Sequence, residues 1–166
     1  MENLSRKIFL VKMQPEHFSL FFCWWNNLAL RRLTSGELNK LSNQQIIKSL
    51  KKFLANKKRH DFIIYLESQP IGHLAVQKKP RRRFYEVYIA IGEKKFWGKG
   101  IGTITMKKVC QWFAKYYPKQ RILSLEVLPK NLRAIRCYQK VGFKIIGHVR
   151  CQKFPETILM HKFFKH

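Results

Sequence analysis

The spacing of apolar side chains changes from one stretch of this chain to the next, and each change marks an element. In KIFLVKM at 7–13 the apolar residues form a short run, which reads as a first strand. After Pro15 they fall at Phe18, Phe21, Phe22 and Trp25, the i, i+3, i+4, i+7 stripe of one helix face, and proline suits the first position of such a helix. NNLALRRLTSGELNK at 26–40 lacks that stripe and reads as a loop. In SNQQ the hydroxyl of Ser42 and the amide of Gln45 can satisfy each other's backbone donors, and Ile46, Ile47, Leu50, Phe53 and Leu54 then line one side of a second helix opposite its lysines.

DFIIYLES and IGHLAVQKK read as two strands turning at Gln69–Pro70, and FYEVYIAIG at 84–92 as a fourth. A third helix is expected over about 101–116, where Met106, Val109, Cys110 and Phe113 repeat the helical spacing before Pro118 ends it. RILSLEVLP forms a fifth strand, Asn131 is placed to cap a short fourth helix ending near Gly142–Phe143, and KIIGHVRC and ETILMHKFF close the chain as strands. Strand, helix, strand in the middle makes a βαβ unit, so strands four and five should run parallel and the outer ones antiparallel. The expected fold is a single α/β (α+β) domain over residues 1–166: a mixed, mostly antiparallel sheet of about seven strands with a central parallel pair, flanked by about four helices.

Composition changes this picture in one respect. Hydrophobic residues at 46% and charged residues at 26% are ordinary for a folded domain. The longest apolar run, FSLFFCWW, is much shorter than the roughly 20 residues of a membrane-spanning helix. MENLSRKIFLVKM has no secretory h-region, which gives a cytoplasmic location as the expectation. Cys23, Cys110, Cys137 and Cys151 lack CxxC spacing and read as reduced thiols. His17, His60, His73, His148, His161 and His166 lack metal-ligand spacing, so no metal is expected and they read as core or surface residues. The outlier is charge: 34 Lys and Arg against 9 Asp and Glu give +25. Clusters such as KSLKKFLANKKRH and KKPRRR either contact an acidic partner such as RNA or a ribosome, or form a solvated basic surface.

The chemistry centres on FWGKGIGT at 96–103, between the fourth strand and the third helix. A helix N-terminus offers unpaired N–H groups and partial positive charge, glycines let an anion approach the backbone, and Lys99 adds a cation. Neither the P-loop nor the dinucleotide-binding spacing is present, and the glycines alone also fit a tight strand-to-helix turn.

Taken together, IGEKKFWGKGIGT and LEVLPKNLRAIRCYQKVGF at 125–143 resemble the GCN5-related N-acetyltransferase (GNAT) superfamily, with the match spanning residues 86–147. The resemblance implies transfer of acetyl from acetyl-CoA to an amine. It implies that Trp97, Gly98, Lys99, Gly100, Ile101, Gly102 and Thr103 surround the CoA pyrophosphate. Ile89 and Ile91 of the fourth strand, with Asn131, would hold the pantetheine arm, and Tyr138 would protonate the leaving thiolate. Trp97 stands where the family usually has Arg or Gln, so one side-chain contact is expected to be lost. Side chains alternate along a strand, so Glu126 faces away from Leu125 and Val127. Ribosomal-protein N-terminal acetyltransferases have a similar LEV…N…Y arrangement and the matching glutamate is regarded as their base; Glu86 and a water chain are the other candidates.

The acceptor pocket implied by the resemblance uses NNLALRRLTSGELNK and the region around RCQKFPE. Arg31 and Arg32 in the former suit an acidic protein N-terminus or an amino sugar on a nucleotide better than a polycation, so a protein N-terminus is the expected acceptor, with a small-molecule amine (amino sugar, polyamine or aminoglycoside) as the alternative. A non-catalytic acetyl-CoA-binding or RNA- or ribosome-binding module is the alternative of another class.

Overall fold

The computed structural model describes residues 2–80, 84–151 and 154–165. Arg81–Arg83 of the KKPRRR cluster, Gln152 and Lys153 of RCQKFPE, and His166 lie outside the described residues. Seven strands form one sheet in the order β1-β2-β3-β4-β5-β7-β6. They are β1 (Ile8–Lys12), β2 (Arg59–Leu66), β3 (Gln69–Lys78), β4 (Tyr85–Ile91), β5 (Ile122–Val127), β6 (Lys144–Cys151) and β7 (Phe154–Phe163). Every neighbouring pair is antiparallel except β4 and β5, which run parallel. That matches the expected mixed sheet and central parallel pair.

Six α-helices accompany the sheet: α1 (Glu2–Arg6), α2 (Phe18–Trp24), α3 (Leu28–Leu33), α4 (Asn43–Ala55), α5 (Ile101–Tyr116) and α6 (Leu132–Lys140). The capping box expected at Ser42 is present, with Gln45 N–H donating to Ser42 Oγ over 3.2 Å and Ser42 N–H to Gln45 Oε1 over 2.8 Å. Two local expectations need correction. The segment 26–40 is not all loop: Asn27 Oδ1 accepts from Leu30 N–H at 3.2 Å, and this cap starts the six-residue α3. The β2–β3 turn lies at Glu67–Ser68 and not at Gln69–Pro70. Glu67 takes the left-handed backbone (φ 54°), and Pro70 sits inside β3 opposite Tyr65, beside a register shift at Ile64/Tyr65. An irregular strand position tolerates proline's missing N–H, which explains why Pro70 does not mark the turn.

Two cores hold the helices to the sheet. On one face Met106, Val109 and Phe113 of α5 pack against Leu74, Leu123 and Leu125. On the other, Phe21 and Trp24 of α2 meet Ile46 and Leu50 of α4 above Ile63. Among the described residues, no helix is long and apolar enough to cross a membrane.

Candidate functional site

The parallel pair is short. Only Tyr85↔Leu123 and Glu86↔Ser124 are in register, after which the strands diverge. β3 continues to pair with β4 as far as Ile91, and β7 with β5 as far as Val127. The divergence therefore opens a wedge in which the β4 backbone from Val87 onward has no strand on its β5 side. A cleft of about 340 Å³ occupies this wedge and is lined by Ile89, Ala90 and Ile91 on one wall and by Asn131, Cys137 and Tyr138 on the other.

The glycine turn closes the end of the cleft. Gly98 and Gly100 both have φ of +78°, and a Cβ at either would meet no atom within 4 Å. Gly100 is the N-cap of α5, and no side chain caps that helix, so its first-turn amides open onto the cleft at Ile101, Gly102 and Thr103. Arg133, Arg136 and Lys140 also line it. Their i, i+3, i+7 spacing puts all three on one face of α6. Exposed glycine backbone, an uncapped helix start and three cations fit a diphosphate, and the apolar wall at Ile89 and Ile91 fits the arm that follows it.

The structure brings most of the predicted residues to this cleft: Ile89, Ile91, Trp97, Gly98, Gly100, Ile101, Gly102, Thr103, Asn131 and Tyr138 all line it. Lys99 is exposed beside it, its ammonium 5.8 Å from the Phe96 ring. The Trp97 indole N–H donates to the Ile91 carbonyl at 2.7 Å, and the Arg133 guanidinium lies 4.3 Å above its ring. Trp97 thus occupies one β4 carbonyl and holds a cation against its ring beside the glycine turn. Asn131 caps α6 by accepting from Ala134 N–H at 3.2 Å and donates to the Leu33 carbonyl at 2.9 Å, fixing the end of α3 over the cleft. Tyr138 is buried, and its hydroxyl has no hydrogen-bond partner among the described residues. Burial first, and the electrostatic influence of the nearby Cys137 second, push its phenol well above the usual range.

A second cavity of about 700 Å³ meets the cleft at Ala90, Asn131 and Tyr138. Glu126 lies in its wall and accepts from Thr157 Oγ1 at 2.9 Å. Glu86 and Glu37 are in the wall too, as are the rings of Trp24, Trp25, Phe53 and Tyr88. Its described cations are each engaged: Arg31 with Glu37 (3.7 Å), Arg59 with Asp61 (2.8 Å) and Lys79 with Glu86 (3.3 Å). Arg31 is buried and also donates to the Asn39 carbonyl, so the basic loop expected from Arg31 and Arg32 does not present Arg31 as a free charge. Tyr88 is raised well above an ordinary phenol, first by burial and then by the Glu86 charge and hydrogen bond. Cys23, Cys110 and Cys137 are free thiols. Among the described residues no His, Cys, Asp and Glu group is arranged for a metal.

A splayed parallel pair beside a glycine-opened helix, with a second cavity entering at the junction, defines an acetyl-CoA-dependent N-acetyltransferase. Residues 16–143 match the Acetyltransferase (GNAT) family, and the chain belongs to it. It is 22% identical over 181 residues to the aminoglycoside N(6')-acetyltransferase type 1 of Klebsiella pneumoniae, covering 95% of this chain and 84% of that protein. Two solved structures share the fold. A Vibrio cholerae spermidine N-acetyltransferase in complex with CoA and spermine has a TM-score of 0.79 at 16% identity, covering 95% of this chain and 96% of that one. A ribosomal L7/L12 alpha-N-protein acetyltransferase in complex with CoA has a TM-score of 0.82 at 13% identity, covering 96% of each.

Proposed function

We propose that the acceptor is a small cationic amine, of the polyamine or amino-sugar kind, held in the 700 Å³ cavity. The observation that carries this is the distribution of charge. In a chain of net charge +25, three of nine carboxylates line this one cavity; Glu37 and Glu86 are paired with its Arg31 and Lys79, and its Arg59 with Asp61, so its described charges offset one another and it lacks the excess positive charge of the rest of the chain. Carboxylates and aromatic faces together attract ammonium groups. The basic exterior repels such a ligand everywhere else, so the cavity is where its binding is least opposed. Acetyl-CoA supplies an acyl carbon activated as a thioester.

The residues of this chain then divide the work. The α5 amides with Arg133, Arg136 and Lys140 hold the diphosphate, and the β4 backbone at Ile89 and Ile91 with Asn131 aligns the arm. Glu126, in the wall of the acceptor cavity, faces the incoming ammonium. Tyr138, shared by both cavities, holds a proton for the departing thiolate; its burial keeps the phenol protonated through neutral pH.

CoA release measured against spermidine, kanamycin and short peptides with free N-termini tests the acceptor class. Turnover with the cations, weakening with added salt, is the expected outcome. Turnover confined to neutral or acidic peptides would replace this proposal with the protein N-terminus suggested by the LEV…N…Y arrangement.

A further inference from the structure

His73 has a place in the site that neither its sequence context nor the family motifs assign. It lies on β3 directly opposite Ala90 of β4, one of the residues shared by the two cavities, and it lines the acceptor side. Glu86 pairs with Gln77 on the same strands, four residues along β4 from Ala90, or about 13 Å at ordinary strand rise. The imidazole is therefore nearer the junction than the Glu86 carboxylate.

The hydrogen bonding of His73 fixes which nitrogen carries its proton. Nε2 lies 2.8 Å from Asp61 Oδ1. Asp61 also takes Arg59 Nε at 2.8 Å and Nη2 at 2.8 Å, and these partners hold its carboxyl below the usual range despite burial. An ionised carboxylate only accepts, so Nε2 must be the N–H donor. Nδ1 is then a bare lone pair, and no described residue donates to it. Burial keeps the ring neutral by lowering its affinity for protons; the Asp61 contact opposes this and Arg59 adds to it. The Phe21 ring, 5.0 Å away on α2, packs against the imidazole. The other charged and titratable groups in the described wall of this cavity are Arg31 on α3, Glu37 after it, Arg59 on β2, Lys79 after β3, Glu86 and Tyr88 on β4, Glu126 on β5 and Tyr138 on α6.

We infer that His73, oriented by Asp61, accepts the proton that the acceptor ammonium must lose before it can attack. One ammonium N–H bond breaks with its electron pair remaining on nitrogen, and an Nδ1–H bond forms. The resulting imidazolium rests against the Asp61 carboxylate and later returns its proton to solvent. The aromatic faces of the cavity receive the cation, and the imidazole, whose neutral form already predominates at pH 7, takes the proton. The inference rests on the acceptor occupying the 700 Å³ cavity, although not on its being a polycation.

Two measurements on the full chain test it. Nitrogen-15 NMR of the histidines, which needs no acceptor, should show His73 neutral at neutral pH with its proton on Nε2. A proton on Nδ1 in the free enzyme overturns the proposal. The second is His73→Gln, whose amide can still donate to Asp61 but cannot carry a proton away. With the best amine of the panel above, kcat should fall by about 100-fold or more at neutral pH while KM for acetyl-CoA stays the same. The residual rate should climb about tenfold per pH unit as the amine deprotonates in solution. An unchanged rate, or an equal loss at every pH, refutes a proton-accepting role. A wild type that turns over peptides alone disproves the cationic acceptor and leaves both readouts on His73 intact.

Discussion

Replacing Tyr138 by Phe removes one oxygen from the junction of the two cavities and changes almost nothing else. The hydroxyl has no partner among the described residues, so its loss breaks no protein hydrogen bond, and the stability change should stay below the roughly 1 kcal/mol of an ordinary one. The ring keeps its packing on Phe143, 6.1 Å away. A loss of turnover in this variant therefore reports on proton donation. A thiol leaves fairly well as thiolate, near pKa 8.5, so donation by a phenol should contribute modestly: kcat should fall by about 10- to 1000-fold, or about 1.4–4.1 kcal/mol in barrier. Burial raises the phenol above its ordinary value of 10.0, so the protonated, donating form persists through neutral pH and no basic limb should arise from it there. Initial rates of CoA release give kcat and KM, and thermal unfolding supplies the stability control. An unchanged kcat, or a melting temperature that falls in step with activity, would refute the assignment.

Two further outcomes follow from the turn and from the buried acid. Gly100→Ala forces a side chain onto φ +78°, which costs about 1–2 kcal/mol, while its methyl meets no atom; a lowered melting temperature is expected. Gly100→Leu should in addition raise KM for acetyl-CoA, with KM for the amine unchanged, as the bulk enters the space proposed for the diphosphate. Stability should also decline toward acid in two windows. His73 is held below its ordinary 6.5, so the unfolded chain binds its proton first and stability drops as pH falls below about that value. Asp61 is held below 3.8, so its contribution is present above that value and is lost as pH falls through the lower folded one. Urea unfolding followed across pH should show both; His60, also held below 6.5, shares the upper window, so His73→Gln should shrink that window without abolishing it, while Arg59 keeps Asp61 low.

The strand and helix order was legible because most elements carry an unbroken period: the α5 stripe at Met106, Val109, Cys110 and Phe113 is buried almost throughout. The α3 helix was hidden because it is only six residues long and begins at an asparagine, a residue equally at home in a loop. The cleft was legible wherever a local motif builds it, at the glycine turn, Asn131 and Tyr138. Arg133, Arg136 and Lys140 had a visible signal in their helical spacing, but only the fold shows which way that face looks. Trp97 read as a lost polar contact because its two partners, the Ile91 carbonyl and the Arg133 guanidinium, lie six residues before it and 36 after it. The Arg59–Asp61–His73 group illustrates the same limit. Alternation puts Arg59 and Asp61 on one face of β2, yet only the β2–β3 register, with Asp61 opposite Ala75 and His73 opposite Ile63, brings the imidazole to the carboxylate.

The acceptor side of the sheet also accounts for the unusual use of acid in so basic a chain. Of nine carboxylates, Asp61 is buried under Arg59 and His73, Glu67 pairs with Lys7, Glu156 with Arg150 and His148, and Glu93 accepts from the Trp24 indole at 3.1 Å. Glu37, Glu86 and Glu126 converge on one cavity. A surface designed only for solubility would intersperse both signs. Here three carboxylates share one cavity with Arg31, Arg59 and Lys79, beside the cleft whose own wall carries Arg133, Arg136 and Lys140. The divergence of two strands after a two-residue pairing thus separates a cationic compartment, suited to the phosphates of the acyl donor, from one in which acidic and basic side chains offset one another. Their junction is the one place where both are at hand, and Ala90 and Tyr138 stand there.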